Sequence, residues 1–138
     1  MTGADREFVR RLGKFLVVGA SGVVVNNAAL FTLYQLLRVP LVGASTAAVA
    51  LSIVNNFIWN DRWTFEQQHS AFSSAMRRFV RFGVASFGGL VLTTVMLWLL
   101  VNDLGFHYLV ANLIAAGAGA ATNYLVNTRW AYGQGKTA

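Results

Sequence analysis

The hydrophobic pattern divides the chain into four apolar runs without a charged residue, at positions 15–37, 39–60, 82–102 and 104–128. Each reaches the roughly 20 residues that a helix needs to cross the hydrocarbon core of a bilayer. Very short polar turns join the runs in pairs, which forces each pair into an antiparallel helical hairpin. In the first pair the turn is Arg38, Val39 and Pro40, where the only proline of the chain can end one helix and begin the next. In the second pair it is Asn102, Asp103, Leu104 and Gly105, with a glycine to break the helix. Ahead of each pair a basic stretch keeps apolar residues at helical spacing: Val9, Leu12 and Leu16 in one case, Met76, Phe79 and Gly83 in the other. These stretches read as amphipathic lead-ins lying in the headgroup layer, the second beginning near Phe72. The expected fold is an all-α membrane protein with four transmembrane helices. They form two parallel-repeat helical hairpins, each with a basic amphipathic lead-in, within a single domain spanning 1–138.

The hairpins read as copies of one another. At an offset of 67 residues, NFIWNDRWTF at Asn56 to Phe65 returns as NYLVNTRWAY at Asn123 to Tyr132. In the same register Arg10 meets Arg77, Lys14 meets Arg81, Phe15 meets Phe82, Gly22 meets Gly89, Ala44 meets Ala111 and Ala48 meets Ala115. Internal repeats of about 8–65 and 75–132 follow. Both hairpins start from the same side, so the repeats run parallel about an axis along the membrane normal. The return spans are rich in glycine and alanine, which let helix backbones approach closely in lipid and place these spans at the middle of the assembly.

Composition agrees with the pattern. Apolar residues make up 56% and charged residues 12%, with a mean hydropathy of +0.52, where soluble domains carry about 25% charged residues. Four spans nearly exhaust 138 residues and leave no room for a soluble catalytic domain, so no enzyme is expected. The first run exceeds a signal-peptide core and lacks a small-residue cleavage site, so it is read as retained. The absence of cysteine excludes disulfides, thiolate catalysis and thiolate metal sites. A net charge of +6 suits nucleic acid in principle. Its distribution argues otherwise, because every basic residue except Arg38 falls in the termini or the central segment. The positive-inside rule then predicts a multi-pass protein of the cytoplasmic (inner) membrane with both termini cytoplasmic, and no nucleic-acid partner.

No nucleophile–base pair, metal cluster or cofactor motif is visible. The two histidines, His69 and His107, lie at opposite faces, and none of the five acidic residues is expected within a span. Proton-coupled transport usually relies on an intramembrane carboxylate or histidine. The polar content of the spans is instead asparagine. Asn56 and Asn60, like Asn123 and Asn127, are four apart and share one helix face. Arg62 and Arg129 follow, each beside a tryptophan, Trp63 or Trp130. Read functionally, the amides of Asn26, Asn56, Asn60, Asn123 and Asn127 line a polar path that bonds sugar hydroxyls. Arg62 and Arg129 fork onto a phosphate, with Lys14 and Arg81 in support, and Trp63 and Trp130 face a sugar ring or an acyl chain. Read structurally, the asparagines glue helices together, and tryptophan with arginine anchors helix ends at the interface. Phe31, Phe57, Trp59 and Trp98 are expected to face lipid or to pack.

The stretches KFLVVGASGVVVNNAALF, ALSIVNNFIWNDRWTF and RRFVRFGVASFGGLV, with the closing NYLVNTRWAY, resemble the GtrA-like family over about Arg10 to Tyr132. Its most specific mark is the ending Asn-x-x-x-Asn-x-x-Trp-x-Phe. The resemblance implies a small four-span membrane protein, found alone or fused to a polyprenyl-phosphate glycosyltransferase domain. It also implies work on polyprenyl-phosphate-linked sugars for cell-surface glycans, commonly as the proposed flippase. Many relatives carry an acidic residue where this chain has Asn26, and often another where it has Ala50.

The expected function is translocation of a polyprenyl-phosphate-linked monosaccharide across the cytoplasmic membrane by a homo-oligomer, most simply a dimer, in contact with membrane lipid. Its partner would be a polyprenyl-phosphate glycosyltransferase. One alternative is a non-transporting anchor or regulator of such an enzyme. Another is a small multidrug-type exporter, which the missing intramembrane carboxylate opposes.

Overall fold

A computed structural model describes residues 2–67 and 71–133, all helices and turns among the described residues. His69 and Lys136 lie outside them. The chain divides into two compact units, Met1–Ser70 and Ala71–Ala138. Each is a helical hairpin, and four helices are long and apolar enough to cross a membrane.

In the first hairpin, α1 (Gly3–Leu30) runs on through a π-helical turn, Phe31–Leu36, and α2 (Leu41–Trp59) through another, Asn60–Thr64. Helix α1 opens on a capping box: the Thr2 hydroxyl accepts from the Asp5 amide at 3.2 Å, and the Thr2 amide donates to the Asp5 carboxylate at 2.8 Å. It closes where Arg38 takes a left-handed conformation, φ 58°, and the Val39 amide reaches back to the Leu33 carbonyl at 2.9 Å. That is the six-to-one closure of a Schellman turn. Pro40 then caps α2.

The second hairpin holds α3 (Phe72–Asn102) and α4 (Tyr108–Val126), the latter extended by the π-helical turn Asn127–Ala131. Its turn uses the same closure. Gly105 sits at φ 69°, and the Phe106 amide donates to the Leu100 carbonyl at 2.9 Å. Residues 104–107, counted with the fourth apolar run from sequence, belong to this turn, and α4 starts at Tyr108 behind a His107 cap.

The lead-ins are helical, but they are not separate surface elements. Gly3–Leu36 is one helix of 34 residues and Phe72–Asn102 one of 31. Neither contains a proline or a turn where lead-in meets span, so nothing interrupts the hydrogen-bond ladder. At 1.5 Å per residue each is roughly 45–50 Å long, against about 30 Å of hydrocarbon, so the basic first turns extend beyond the apolar layer.

Inside each hairpin the buried stripe repeats at helical spacing: Phe15, Val18 and Gly22 on α1 with Ala44 and Ala48 on α2. The second has Phe82, Ala85 and Gly89 on α3 with Ala111, Ala115 and Gly119 on α4. Contact is closest at the glycines. A methyl group on Gly22 would overlap the Asn56 amide, and one on Gly89 would lie 3.3 Å from both Asn123 Cβ and the Gly119 carbonyl. Small residues thus serve backbone approach within a hairpin, which is how helices associate where lipid supplies no hydrophobic drive.

Candidate functional site

The last turn of any helix leaves carbonyl groups without intrahelical partners and the negative end of the helix dipole. In the first hairpin a cation from the neighbouring helix satisfies this end. Lys14, its side chain only 16% exposed, donates through Nζ to the Trp63 carbonyl at 2.9 Å and lies 5.4 Å from the Trp63 ring centroid. In the second, Arg81 Nη1 donates to the Trp130 carbonyl at 3.1 Å, with its guanidinium 5.7 Å from the Trp130 ring. Each basic end is therefore built from a cation, a helix terminus and a tryptophan face, a combination that strengthens through cation–π attraction. Lys14 and Arg81, read from sequence as supporting groups, are the cations the structure holds at the tryptophan carbonyls. Arg62 and Arg129, ranked first, are exposed on the outer side of the π-helical turns.

Glu66 completes the first site and was not singled out in the sequence. Its carboxylate accepts from Lys14 Nζ and from Arg10 Nη2, both at 3.2 Å. The Lys14 hydrogen bond, then the charges of Arg10 and Lys14, hold it below the usual carboxylate range. Glu66 has φ 54°, and the Gln67 amide closes on the Asp61 carbonyl at 2.8 Å, so the Schellman turn ending α2 aims the carboxylate at these cations.

The amides divide by environment. Asn60 is 1% exposed, and its Oδ1 accepts from the Thr64 hydroxyl at 2.8 Å. Asn127 is fully buried, and its Nδ2 donates to the Asn123 carbonyl at 2.9 Å and to Asn123 Oδ1 at 2.6 Å. These two, expected along an open path, instead stabilise the wide final turns from inside. Wide turns of this kind leave longer backbone gaps, and a short amide side chain can fill them. Asn56 and Asn123 are half-buried against Gly22 and Gly89. Asn55 donates to Ser21 Oγ at 3.1 Å. Asn26 is half-buried in the first span and has no hydrogen bond among the described residues, whereas its register counterpart Thr93 donates to the Gly89 carbonyl at 2.9 Å.

Two further features lay outside the sequence expectations. Asp61, placed beyond the second span from sequence, lies in the final turn of the Leu41–Thr64 helix and is 7% exposed. The π-helical turn adds a residue to the ring and carries this position inward. The second is an open apolar groove of about 340 Å³ lined by Val17, Val18, Ser21, Trp59 and Trp63. Trp59, expected to pack or face lipid, is one of its walls, and the Trp63 ring joins the groove to Lys14. The second hairpin has an open groove of about 510 Å³ at its other end, where Trp98 and Tyr108 are joined by Asn102 and Asn112. Among the described residues no cluster of histidine and carboxylate side chains suits a metal ion.

Residues 14–132 match the family described as GtrA/DPMS, transmembrane domain. Over 119 residues the chain is 39% identical to a dolichol-phosphate mannosyltransferase of Pyrococcus furiosus, covering 86% of this chain and 33% of that protein. It is also 29% identical over 128 residues to the uncharacterized membrane protein YngA of Bacillus subtilis, covering 93% of this chain and 83% of the relative. The chain thus spans about a third of the mannosyltransferase it matches.

Proposed function

The chain belongs to the GtrA/DPMS transmembrane family, and on that premise we propose that it moves a polyprenyl-phosphate-linked monosaccharide across the cytoplasmic membrane for cell-surface polysaccharide synthesis. The observation that carries this reading is the pairing of a cation with a tryptophan face at the basic end of each hairpin, Arg81 at Trp130 and Lys14 at Trp63, on helices whose flanks are exposed and apolar. A lipid-linked sugar needs a cation for its phosphate next to a dry surface for its isoprenoid, and a tryptophan face serves either the sugar or the first isoprene units. Arg62 and Arg129, each exposed at the basic end of its own hairpin, are the side chains that meet a phosphate first, and a guanidinium can fork onto it. With the basic ends cytoplasmic, capture takes place at the inner leaflet. No bond is made or broken, so translocation requires binding groups alone. The half-buried, unbonded Asn26 amide favours a homo-oligomer, most simply a dimer, because a partner copy or the sugar would satisfy a group that is costly to leave open in lipid.

The test uses the full chain in vesicles loaded with a polyprenyl-phosphate sugar in one leaflet. Replacing both Arg62 and Arg129 with alanine should slow transfer by about tenfold or more, since a hydrogen bond to a charged group is worth about 1.5–3 kcal/mol. Helical content should not change. Transfer at the wild-type rate overturns the assignment.

The family relationship also favours a second reading. The mannosyltransferase relative is about three times longer than the matched segment, so this chain would serve as the membrane anchor of a separate polyprenyl-phosphate glycosyltransferase. Co-purification of such an enzyme, with no lipid movement by the purified chain alone, would select this reading over the first.

A further inference from the structure

The two basic ends share a scaffold but not a charge balance. Around the first stand Arg6, Arg10, Arg11, Lys14 and Arg62, accompanied by Asp5, Glu7, Asp61 and Glu66. Around the second stand Arg77, Arg78, Arg81 and Arg129. Among the described residues that hairpin's only acid is Asp103, in the turn at its other end.

The contacts show what this does. In the first hairpin Lys14 spends two of its three donors on the Trp63 carbonyl and on Glu66. Arg10 divides its fork between Glu7, at 2.9 and 3.0 Å, and Glu66 at 3.2 Å. In the second, Arg81 makes the equivalent bond to Trp130 with Nη1, and position 133, in register with Glu66, is glycine. A guanidinium has five N–H donors, so most of those on Arg81 remain for an incoming anion. Glu66 sits between Arg10 and Lys14 with both at equal distance, the position a phosphate would take between two cations, and a left-handed backbone holds it there.

We infer that Glu66 is a built-in competitor that occupies the first hairpin's cations, so that a phosphate monoester on a lipid is captured by the second hairpin at Arg81 and Arg129. Arg10 and Lys14 accept the phosphate only when Glu66 swings away. This rests on the proposed function and deepens it, by making the two repeats unequal at the charged group of the substrate. The inequality follows from electrostatics: with the Glu66 carboxylate between them, Arg10 and Lys14 present less net positive charge to an anion, and displacing that carboxylate means undoing two charge-assisted hydrogen bonds first.

The experiment measures binding of a polyprenyl monophosphate to the full chain in nanodiscs of zwitterionic lipid. The matching polyprenol, inorganic phosphate and phosphatidylglycerol serve as separate probes. Glutamine is the substitution of choice at both cations, because its amide can still donate to the tryptophan carbonyl while the charge is gone. Arg81→Gln should weaken binding at least tenfold, whereas Lys14→Gln should change it less than twofold. Glu66→Gln should add a second phosphate equivalent or tighten binding severalfold, and Glu66→Gln combined with Lys14→Gln should remove that gain. Thermal melting of each variant separates binding from folding, and Arg81→Lys, which restores charge and carbonyl contact, should recover most of the loss. Equal losses from Lys14→Gln and Arg81→Gln, or an unaltered isotherm for Glu66→Gln, overturn the inequality and leave the proposed function standing. If the polyprenol, inorganic phosphate or phosphatidylglycerol binds as well as the polyprenyl phosphate, the lipid-phosphate reading falls, and this inference with it.

Discussion

In the first hairpin the Gly22 carbonyl accepts a hydrogen bond from Ser52 on the opposite helix, at 2.9 Å. In the second the Gly89 carbonyl accepts from Thr93 on its own helix, also at 2.9 Å. The register partner of Ser52 is Gly119, and that of Thr93 is Asn26. The same carbonyl is therefore satisfied across the helix pair in one repeat and along the helix in the other. The consequence for the amides is direct: where Ser52 does the work, Asn26 is left without a partner in its hairpin; where Thr93 does it, the facing position has to be glycine. The close approach of the helices is common to both hairpins, and the polar groups at that approach differ.

Exchanging these solutions should give the largest effect. In Gly119→Ser a new Cβ would overlap the Thr93 hydroxyl and lie 3.1 Å from the Gly89 carbonyl. Overpacking of this kind costs about 1–3 kcal/mol, measurable as a lowered unfolding midpoint in a detergent titration. Adding Thr93→Ala should recover most of it, because the serine can then reproduce the Ser52 contact. A Gly119→Ser chain of wild-type stability would break the comparison.

The helix ends sharpen it further. Asn60 Oδ1 is satisfied by Thr64, but Asn127 Oδ1 is buried without a hydrogen-bond partner among the described residues, because Ala131 stands where the first repeat has Thr64. Thr64→Ala should destabilise the chain by about 1–3 kcal/mol, the cost of a buried acceptor left open. The reciprocal Ala131→Thr should stabilise it by about 0.5–1.5 kcal/mol, the net value of one added hydrogen bond. Opposite signs in the same unfolding assay support equivalent turns, and equal signs do not.

The smallest effect concerns pH. Glu66 has its carboxyl lowered from 4.5 by Lys14 and Arg10. A lowered folded pKa means the contact is fully present above the unfolded value and is lost only as pH falls through the lower, folded one. Phosphate binding by the wild type should therefore be flat with respect to Glu66 from pH 8 down to 5. Below the ordinary carboxylate range, protonation should free Arg10 and Lys14 in the wild type and leave Glu66→Gln unchanged. A pH response of equal size in both chains would remove Glu66 as its source.

The spans, the turn positions and the pairing of Lys14 with Arg81 were legible in the sequence, because charge-free length and an offset alignment need no coordinates. The contacts those cations make were not. Arg62 and Arg129 flank the tryptophans in the chain, but a helix turns neighbours to different sides, and it is Lys14 and Arg81 from the other helix that reach the tryptophan carbonyls. Four-residue spacing does bring Asn127 against Asn123, as their side-chain contact at 2.6 Å shows, but the burial of Asn60 and Asn127 in the final turns depends on the facing helix and could not be read from spacing. Glu66 could have been found by asking what faces it in the repeat, since an acid opposite Gly133 changes the charge of one end only.

Sequence by itself determined that this chain is a pair of membrane hairpins with basic ends, because spanning a bilayer is decided by the length of uncharged apolar runs and by where the cations fall. The tertiary structure alone decided which polar groups are spent and which stay available. Hydrogen bonds and ion pairs at 2.6–3.2 Å depend on the facing helix and on the width of the final turn. Neither can be read along a single strand of residues.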